Sequence, residues 1–284
     1  MSDKLEWLVG LYVFDEDGEN INPVDFTTVS IQSGGYFDYQ SEAAFAQLTF
    51  RPNEAFSMTA GLRYTKEDRD YLPDQFIQEM PLGGLPFPCF NSDASVKTCE
   101  IGDRVVPLET VNNSISETTP MLNLSYKFRD DVMVYATYSE GFKVGGYTQR
   151  IFPPEPSLPT FDPEYVESYE IGAKTELLDN TLRANLAIFT TDYSDLQLLI
   201  AEPSRVGPYT ANAGEATIEG FELELAFAAP NDFFIDVALG YTNSGYDSLT
   251  PGAVTAGLSI DQPFVFISDW NSQISVSRTF SLFG

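Results

Sequence analysis

The chain of 284 residues contains no histidine, only two cysteines and no long hydrophobic run. Without histidine, the usual serine and cysteine catalytic triads and the histidine-ligated metal sites are not available. Without an apolar run of about 18 residues there is no transmembrane helix, but a spanning β-strand needs only about 9–11 residues and is not excluded. The N-terminal residues show neither a basic segment nor an apolar core, so no export signal is visible.

Basic residues are also scarce, with 15 Lys and Arg against 42 Asp and Glu and a net charge of −27. Such a chain repels phosphate backbones, which argues against nucleic acid as a partner. Aromatic residues make up 14% of the chain, which is too many for a disordered one. These observations predict a folded protein that is not an enzyme and has no metal site and no cofactor.

What the sequence does have is period-two alternation of apolar and polar residues. Residues 121–128 and 132–139 each alternate, and the short reversal at residues 129–131 predicts an antiparallel hairpin. Similar runs along the chain predict about ten strands. The first covers residues 4–14 and is predicted to stop at an acidic turn, residues 15–18, after which polar sequence continues to about residue 40.

The predicted connections alternate between tight turns and long loops. The turns contain Pro, Asp or Asn, whereas the loops run from about a dozen to about fifty residues, the longest being the irregular stretch 68–117. An outer-membrane barrel has this arrangement, because its short turns face the periplasm and its long loops face outside. Charged residues also recur in mid-strand on one face, where a water-filled lumen tolerates them: Lys174, Glu176, Glu222, Glu224 and Asp236. A soluble, secreted β-sandwich that binds carbohydrate or protein remains the alternative, since its outer face is also solvated.

Five ordered segments resemble the barrel of TonB-dependent outer-membrane receptors. They are AFAQLT (44–49), AGLRYT (60–65), YATYSEGFKVGGY (135–147), ESYEIG (167–172) and IEGFEL (218–223). The resemblance covers almost the whole chain. It implies an all-β, antiparallel transmembrane barrel of which about ten strands, out of the family's 22, are present. We therefore expect residues 1–284 to be a partial barrel domain without the plug domain and the C-terminal strands; a smaller, self-closed ten-stranded barrel is the alternative.

The resemblance also implies a function. Receptors of this kind lie in the outer membrane of Gram-negative bacteria and take up a scarce solute, with energy supplied by TonB through a plug segment that this chain does not show. The expected partners are outer-membrane lipid, TonB and a small-molecule ligand, most often a ferric siderophore, with cobalamin or a saccharide as alternatives. A barrel-embedded hydrolase using paired carboxylates such as Glu222 and Glu224 is a further hypothesis.

Given an export route through the oxidising periplasm, Cys89 and Cys99 are expected to form a disulfide that closes one loop. Closing a loop this short adds about 2–3 kcal/mol to the free energy of unfolding. The alternative is that the two thiols remain unpaired.

Arg63, Lys143 and Tyr147 are candidate ligand contacts, because the two cations lie near the expected outer mouth and could attract an anionic ligand. Ion pairs with lumen carboxylates are the alternative role for both cations. Tyrosines at the loop ends of strands predict an aromatic belt at the outer lipid interface, with ligand stacking as the alternative: Tyr12, Tyr64, Tyr138, Tyr193 and Tyr241.

Overall fold

The computed structural model describes residues 4–26, 29–80, 87–91, 93, 95–201 and 207–280. Within these ranges the strands are β1 (Leu5–Phe26), β2 (Val29–Phe50), β3 (Phe56–Pro73), β4 (Phe76–Glu79), β5 (Pro88–Phe90), β6 (Val96–Thr98), β7 (Val111–Arg129), β8 (Val132–Lys143), β9 (Gly146–Tyr147), β10 (Thr160–Phe161), β11 (Glu164–Leu177), β12 (Leu182–Ser194), β13 (Gln197–Ile200), β14 (Tyr209–Asn212), β15 (Gly214–Ala229), β16 (Phe233–Leu249) and β17 (Trp270–Arg278), and a short helix, α1, covers Pro251–Thr255. None of the helical structure in the described ranges is long and apolar enough to span a membrane.

Ten long strands form one antiparallel sheet in the order β1-β2-β3-β7-β8-β11-β12-β15-β16-β17. The short strand β4 pairs with β2, and the remaining strands form separate hairpins, β5–β6, β9–β10 and β13–β14. The prediction of about ten antiparallel strands is thereby confirmed. The self-closed alternative is wrong for the described chain, because β1 and β17 each pair with one neighbour and not with each other.

Four of the predicted turns, at residues 52–54, 129–131, 178–180 and 230–232, lie at one end of the sheet. Before β3, the Asn53 side-chain oxygen accepts hydrogen bonds from the backbone N–H groups of Ala55 and Phe56, at 3.0 and 2.8 Å. Between β11 and β12 the residues at 178–180 have positive φ, and between β15 and β16 so do those at 231–232. Asn and Asp tolerate this conformation better than other non-glycine residues, which explains their place in these turns.

The two faces of the sheet differ in chemistry. One face, called the outer face here, carries large apolar side chains that remain exposed, including Leu62 at 54%, Leu124 at 37% and Leu186 at 41%. Contacts between elements connect neighbouring strands or the hairpins above them, and no second layer covers this face within the described chain. The soluble β-sandwich alternative is therefore wrong. The other face, called the inner face, carries the predicted mid-strand charges of β11, β15 and β16.

The N-terminal strands extend much further than predicted. The acidic residues 15–18 continue β1 and do not form a turn, and β2 begins at Val29 and not near residue 40. The connection between β1 and β2 falls on residues 27–28, outside the described residues. The stretch predicted as irregular, residues 68–117, instead contains the end of β3, the strands β4–β6 and the start of β7. The expected end of the sheet near residues 282–284 also lies outside the described residues.

Above the extended strands, two adjoining hydrophobic clusters form what we call the outer module. The first surrounds a disulfide and consists of Val29, Ile31, Ile77, Cys89, Cys99, Val105 and Phe152. The second consists of Tyr71, Val106, Tyr147, Ile151 and Leu158. The segment between β9 and β10 is hydrogen-bonded to β2 and to the first cluster. The Ser33 hydroxyl of β2 donates to the Gln149 carbonyl at 2.7 Å, and the Glu155 N–H donates to the Val105 carbonyl at 2.8 Å.

Candidate ligand-binding wall

The inner face of β1–β3 brings an arginine against two aromatic rings. Arg63 pairs in register with Phe45, which in turn pairs with Gly10. A Cβ atom on Gly10 would lie 2.2 Å from the Phe45 ring, so the glycine allows this ring to lie flat across β1. The Arg63 guanidinium carbon then lies 5.9 Å from the centre of the Phe45 ring and 5.5 Å from that of Tyr12.

No carboxylate neutralises Arg63 within the described chain. Its Nε donates to the Thr65 hydroxyl at 3.0 Å, and none of the ion pairs includes it. Arg63 thus makes none of the ion pairs found among the described residues. Aromatic faces attract a guanidinium without neutralising it, so Arg63 stays positively charged and available to an anion.

A second arginine lies further toward the outer module. The Arg69 guanidinium carbon lies 5.2 Å from the centre of the Tyr39 ring, and Arg69 also forms an ion pair with Glu67 at 3.0 Å. Tyr39 in turn packs against Phe37, with ring centres 5.0 Å apart. The inner face of the first strands is thus rich in aromatic rings and arginine.

The inner face of β11–β16 has the opposite character. Glu222 and Glu224 lie there near Glu170, whose carboxylate accepts a hydrogen bond from the Tyr135 hydroxyl at 2.7 Å. The Lys174 ammonium lies 5.7 Å from the centre of the Tyr135 ring. Arg183 and Glu176 form an ion pair close to the turn between β11 and β12, at 3.6 Å. Carboxylates outnumber cations along these strands, so this part of the wall repels anions.

The other predicted ligand contacts are placed differently. Lys143 ends β8 on the inner face, is exposed, and forms no ion pair in the described part of the chain; β7 separates its strand from that of Arg63. Tyr147 is only 8% exposed, and its ring stacks on Tyr71 with centres 5.3 Å apart. Its hydroxyl donates to the Arg69 carbonyl. Arg63 and Tyr147 are therefore not brought into one site.

Cys89 and Cys99 form a disulfide, with sulfur atoms 2.12 Å apart, inside the first cluster of the outer module. Next to it, Lys97 forms an ion pair with Asp103 at 2.8 Å, and the hydrogen bond that the Lys97 ammonium donates to this carboxylate raises the pKa of Lys97. Within the described residues, no group of three His, Cys, Asp or Glu side chains is arranged to hold a metal ion.

The predicted aromatic belt needs outer-facing tyrosines, and Tyr64, Tyr138 and Tyr241 lie on the outer face. The belt prediction is wrong for Tyr12 and Tyr193, which lie on the inner face because each follows an outer-facing residue by one position. The belt was predicted from the position of each tyrosine near the loop end of its strand. The face of the sheet on which a side chain lies depends instead on the alternation of residues along the strand. The same alternation, read together with Gly10, is the signal that would have placed Tyr12 and Phe45 beside Arg63.

Residues 4–283 match the family model described as TonB dependent receptor-like, beta-barrel. The chain is 35% identical over 108 residues to the metal-pseudopaline receptor CntO of Pseudomonas aeruginosa, covering 38% of this chain and 14% of that protein. It is 28% identical over 224 residues to the pesticin receptor of Yersinia enterocolitica, covering 78% of this chain and 28% of that protein.

Among solved structures, the ferric yersiniabactin uptake receptor FyuA from Yersinia pestis superposes with a TM-score of 0.72 at 19% identity, covering 98% of this chain and 37% of that one. This chain thus spans less than a third of the length of the curated relatives named above. The family comprises outer-membrane receptors of Gram-negative bacteria, which are transporters and not enzymes. The chain belongs to the TonB-dependent receptors, as a part of their outer-membrane β-barrel.

Proposed function

We propose that the receptor containing this chain takes up an anionic metal chelate, of the iron–siderophore class, and that Arg63 is a contact for it. The single observation that carries the proposal is the un-neutralised Arg63 guanidinium on the inner wall, held between Tyr12 and Phe45. Arg63 has no carboxylate partner among the described residues of a chain of net charge −27, and an anionic ligand would supply the counter-charge that it lacks. A neutral saccharide would not supply this counter-charge.

The distribution of charge on the inner face favours binding of an anionic ligand to β1–β3 over binding to β11–β16. Carboxylates on β11–β16 repel an anion, whereas the aromatic and arginine side chains of β1–β3 attract it. Ring faces beside Arg63 also suit the planar, partly apolar groups of a metal chelator. Relatives named for metal–pseudopaline and ferric yersiniabactin handle ligands of this general kind. In this proposal, TonB supplies the energy through a plug domain encoded outside this chain, and Lys143 adds a second, more peripheral attraction.

The proposal is tested by ligand binding to the full-length receptor. Arg63→Ala removes a charge-assisted contact and should weaken binding of an anionic ferric chelate by about tenfold to a hundredfold, with Arg63→Lys in between. Lys174→Ala is the matched control, because Lys174 is an inner-wall cation near the tight turns, and it should leave affinity unchanged. Equal affinity in the Arg63→Ala receptor would refute the assigned contact. Tight binding of a neutral ligand, insensitive to Arg63, would refute the anionic class.

A further inference from the structure

β17 ends in an arginine on the outer face, at the end of the sheet where the tight turns lie. Arg278 pairs in register with Phe233, the first residue of β16 after the turn at residues 230–232. Ile274 and Val276 precede it on the same face of β17 and are 72% and 62% exposed. Arg278 is therefore a charged residue on an apolar face that contacts lipid.

The length of β17 places Arg278 at the level of the lipid headgroups. β17 has 9 residues, and a spanning strand needs about 9–11. At the opposite end of β17, Trp270 packs against Tyr241, with ring centres 4.8 Å apart. Aromatic girdles lie at both interfaces of a barrel, so Trp270 and Phe233 mark the two edges of the apolar band. Because short turns face the periplasm, Arg278 lies at the periplasmic interface, where a charge on the lipid face costs little.

Two aromatic rings hold the Arg278 guanidinium in place. Its central carbon lies 4.9 Å from the centre of the Phe233 ring and 4.7 Å from that of the Phe280 ring. Its Nε donates a hydrogen bond to the Asn231 carbonyl at 3.1 Å. The rings and the carbonyl restrict the side chain but bring no full negative charge to it. The donors of the two terminal nitrogens remain for an acceptor from outside the described chain.

No carboxylate within the described ranges neutralises Arg278. It takes part in none of the ion pairs there, and Asp232 in the adjoining turn takes part in none either. The next carboxylate along β16, that of Asp236, lies on the inner face. The outer-facing residues of β15 and β16 between this turn and Tyr241 are all apolar. The adjoining outer face therefore supplies no counter-charge to Arg278, and the medium that this face meets is lipid.

We infer that Arg278 binds the phosphodiester group of an anionic phospholipid in the periplasmic leaflet, of the phosphatidylglycerol type. The planar guanidinium donates parallel hydrogen bonds to two phosphate oxygens, a geometry that a lysine ammonium does not offer. The acyl chains lie along the apolar face of β16 and β17, a contact that a free phosphate ion does not make. A phosphatidylethanolamine headgroup carries its own ammonium, which competes with Arg278 for the phosphate. The net negative charge of the headgroup therefore determines the preference.

The test is lipid retention by the full-length receptor, purified in mild detergent, exposed to defined lipids and analysed by native mass spectrometry. The wild-type receptor should retain phosphatidylglycerol in preference to phosphatidylethanolamine and phosphatidylcholine. Arg278→Gln should lower this preference by about fivefold, the contribution of one cation at a membrane surface. Arg278→Lys keeps the charge but not the parallel hydrogen bonds and should lie in between. Phe233→Leu keeps an apolar side chain and should lower the preference by about twofold, because one ring no longer orients the guanidinium.

Matched controls separate this site from general charge effects. Arg183→Gln removes a cation near the same end of the sheet but on the inner face, and it should leave the lipid preference unchanged. An equal loss of preference in Arg183→Gln and Arg278→Gln would overturn the site. Equal retention of the three lipids by the wild-type receptor, or an unchanged preference in Arg278→Gln, would overturn it as well. Inorganic phosphate should not displace the bound lipid, and displacement would overturn the lipid in favour of a free anion.

Discussion

Two parts of the same sheet differ in the length of their strands and in what packs above them. The first wall, consisting of β1, β2, β3 and β7, has strands of 18 to 22 residues and supports the packed outer module. The second wall, consisting of β11, β12, β15 and β16, has strands of 13 to 17 residues. A spanning strand needs only about 9–11 residues. The first wall therefore projects well beyond the bilayer, whereas the second ends closer to it.

The outer faces of the two walls are alike, because both meet hydrocarbon and both expose leucine, valine and isoleucine. The inner faces differ: the first carries aromatic rings and arginines, and the second carries mostly carboxylates. The comparison shows that lipid constrains only one face of each strand. The inner face and the strand length remain free to specialise, and a receptor can use this freedom to make one side of its mouth attractive to an anion.

The largest effect is expected where the first wall supports the outer module. Ile31 is 1% exposed in the cluster around the disulfide, so Ile31→Ala should destabilise the module by about 2–5 kcal/mol. Hydrogen exchange of residues 95–107 would measure the local opening. Ile188→Ala on the second wall, where the side chain is 49% exposed, is the control and should leave that exchange unchanged. Similar exchange in both variants would mean that the module is not packed as described.

A pair of adjacent residues tests the two faces of the second wall. Val237 lies on the outer face and Asp236 on the inner face of β16. Val237→Lys should destabilise the membrane-inserted receptor by about 2–4 kcal/mol, because a charge would face hydrocarbon. Asp236→Lys should change stability by less than about 0.5 kcal/mol, because its side chain is exposed on the polar face. Denaturant unfolding in lipid measures both, and equal costs would contradict the assignment of faces.

The two walls also differ in how well the sequence predicted them. On the second wall the turns at residues 178–180 and 230–232 and the strands on either side are where alternation placed them. Each strand there has one face on lipid, and lipid enforces an apolar residue at every second position. The motif resemblance and the alternation therefore sufficed for the fold class.

On the first wall the same reasoning failed above the bilayer. Residues 15–18 are acidic and glycine-containing, and such sequence usually indicates a turn. They form a strand because they pair with residues 37–40 of β2, and outside hydrocarbon neither face must be apolar. The pairing depends on long-range register that no local pattern contains. For the same reason the sequence predicted Arg63 as a candidate contact but did not predict its neighbours Tyr12 and Phe45, which lie on other strands.

Disulfide removal tests what holds the outer module on the first wall. Both sulfur atoms are buried, with Cys89 at 0% and Cys99 at 3% exposure. Cys89→Ala/Cys99→Ala should lower the stability of the module by about 2–3 kcal/mol through the greater freedom of the unfolded loop. The same hydrogen-exchange measurement detects the loss, and the strands of the second wall should be unaffected. A reductant should reproduce the effect in the wild-type receptor but add nothing in the double variant. If exchange of the module stays at the wild-type rate, the disulfide is not a determinant of its stability.

The smallest effect concerns two stacked tyrosines that differ in one hydrogen bond. The Tyr147 hydroxyl donates to the Arg69 carbonyl, whereas the Tyr71 hydroxyl is buried without a hydrogen-bond partner among the described residues. Tyr147→Phe should therefore cost about 0.5–1.5 kcal/mol, and Tyr71→Phe should be neutral or stabilising. Amide hydrogen exchange of the outer module near pH 7 measures both changes. A greater loss in Tyr71→Phe than in Tyr147→Phe would contradict the assigned hydrogen bond.

Tyr71 and Tyr147 also predict that the outer module on the first wall loses stability at high pH. Burial raises the pKa of both hydroxyls above the ordinary tyrosine value of about 10. Their contribution to stability is thus fully present below about pH 10 and is lost as the pH rises toward their folded-state pKa, because the unfolded chain releases these protons first. Exchange of the outer module should accelerate above about pH 10. The double variant Tyr71→Phe/Tyr147→Phe should show a weaker acceleration, since it retains the ring stack but has no buried hydroxyl to ionise; an unchanged alkaline profile would assign the loss to other groups.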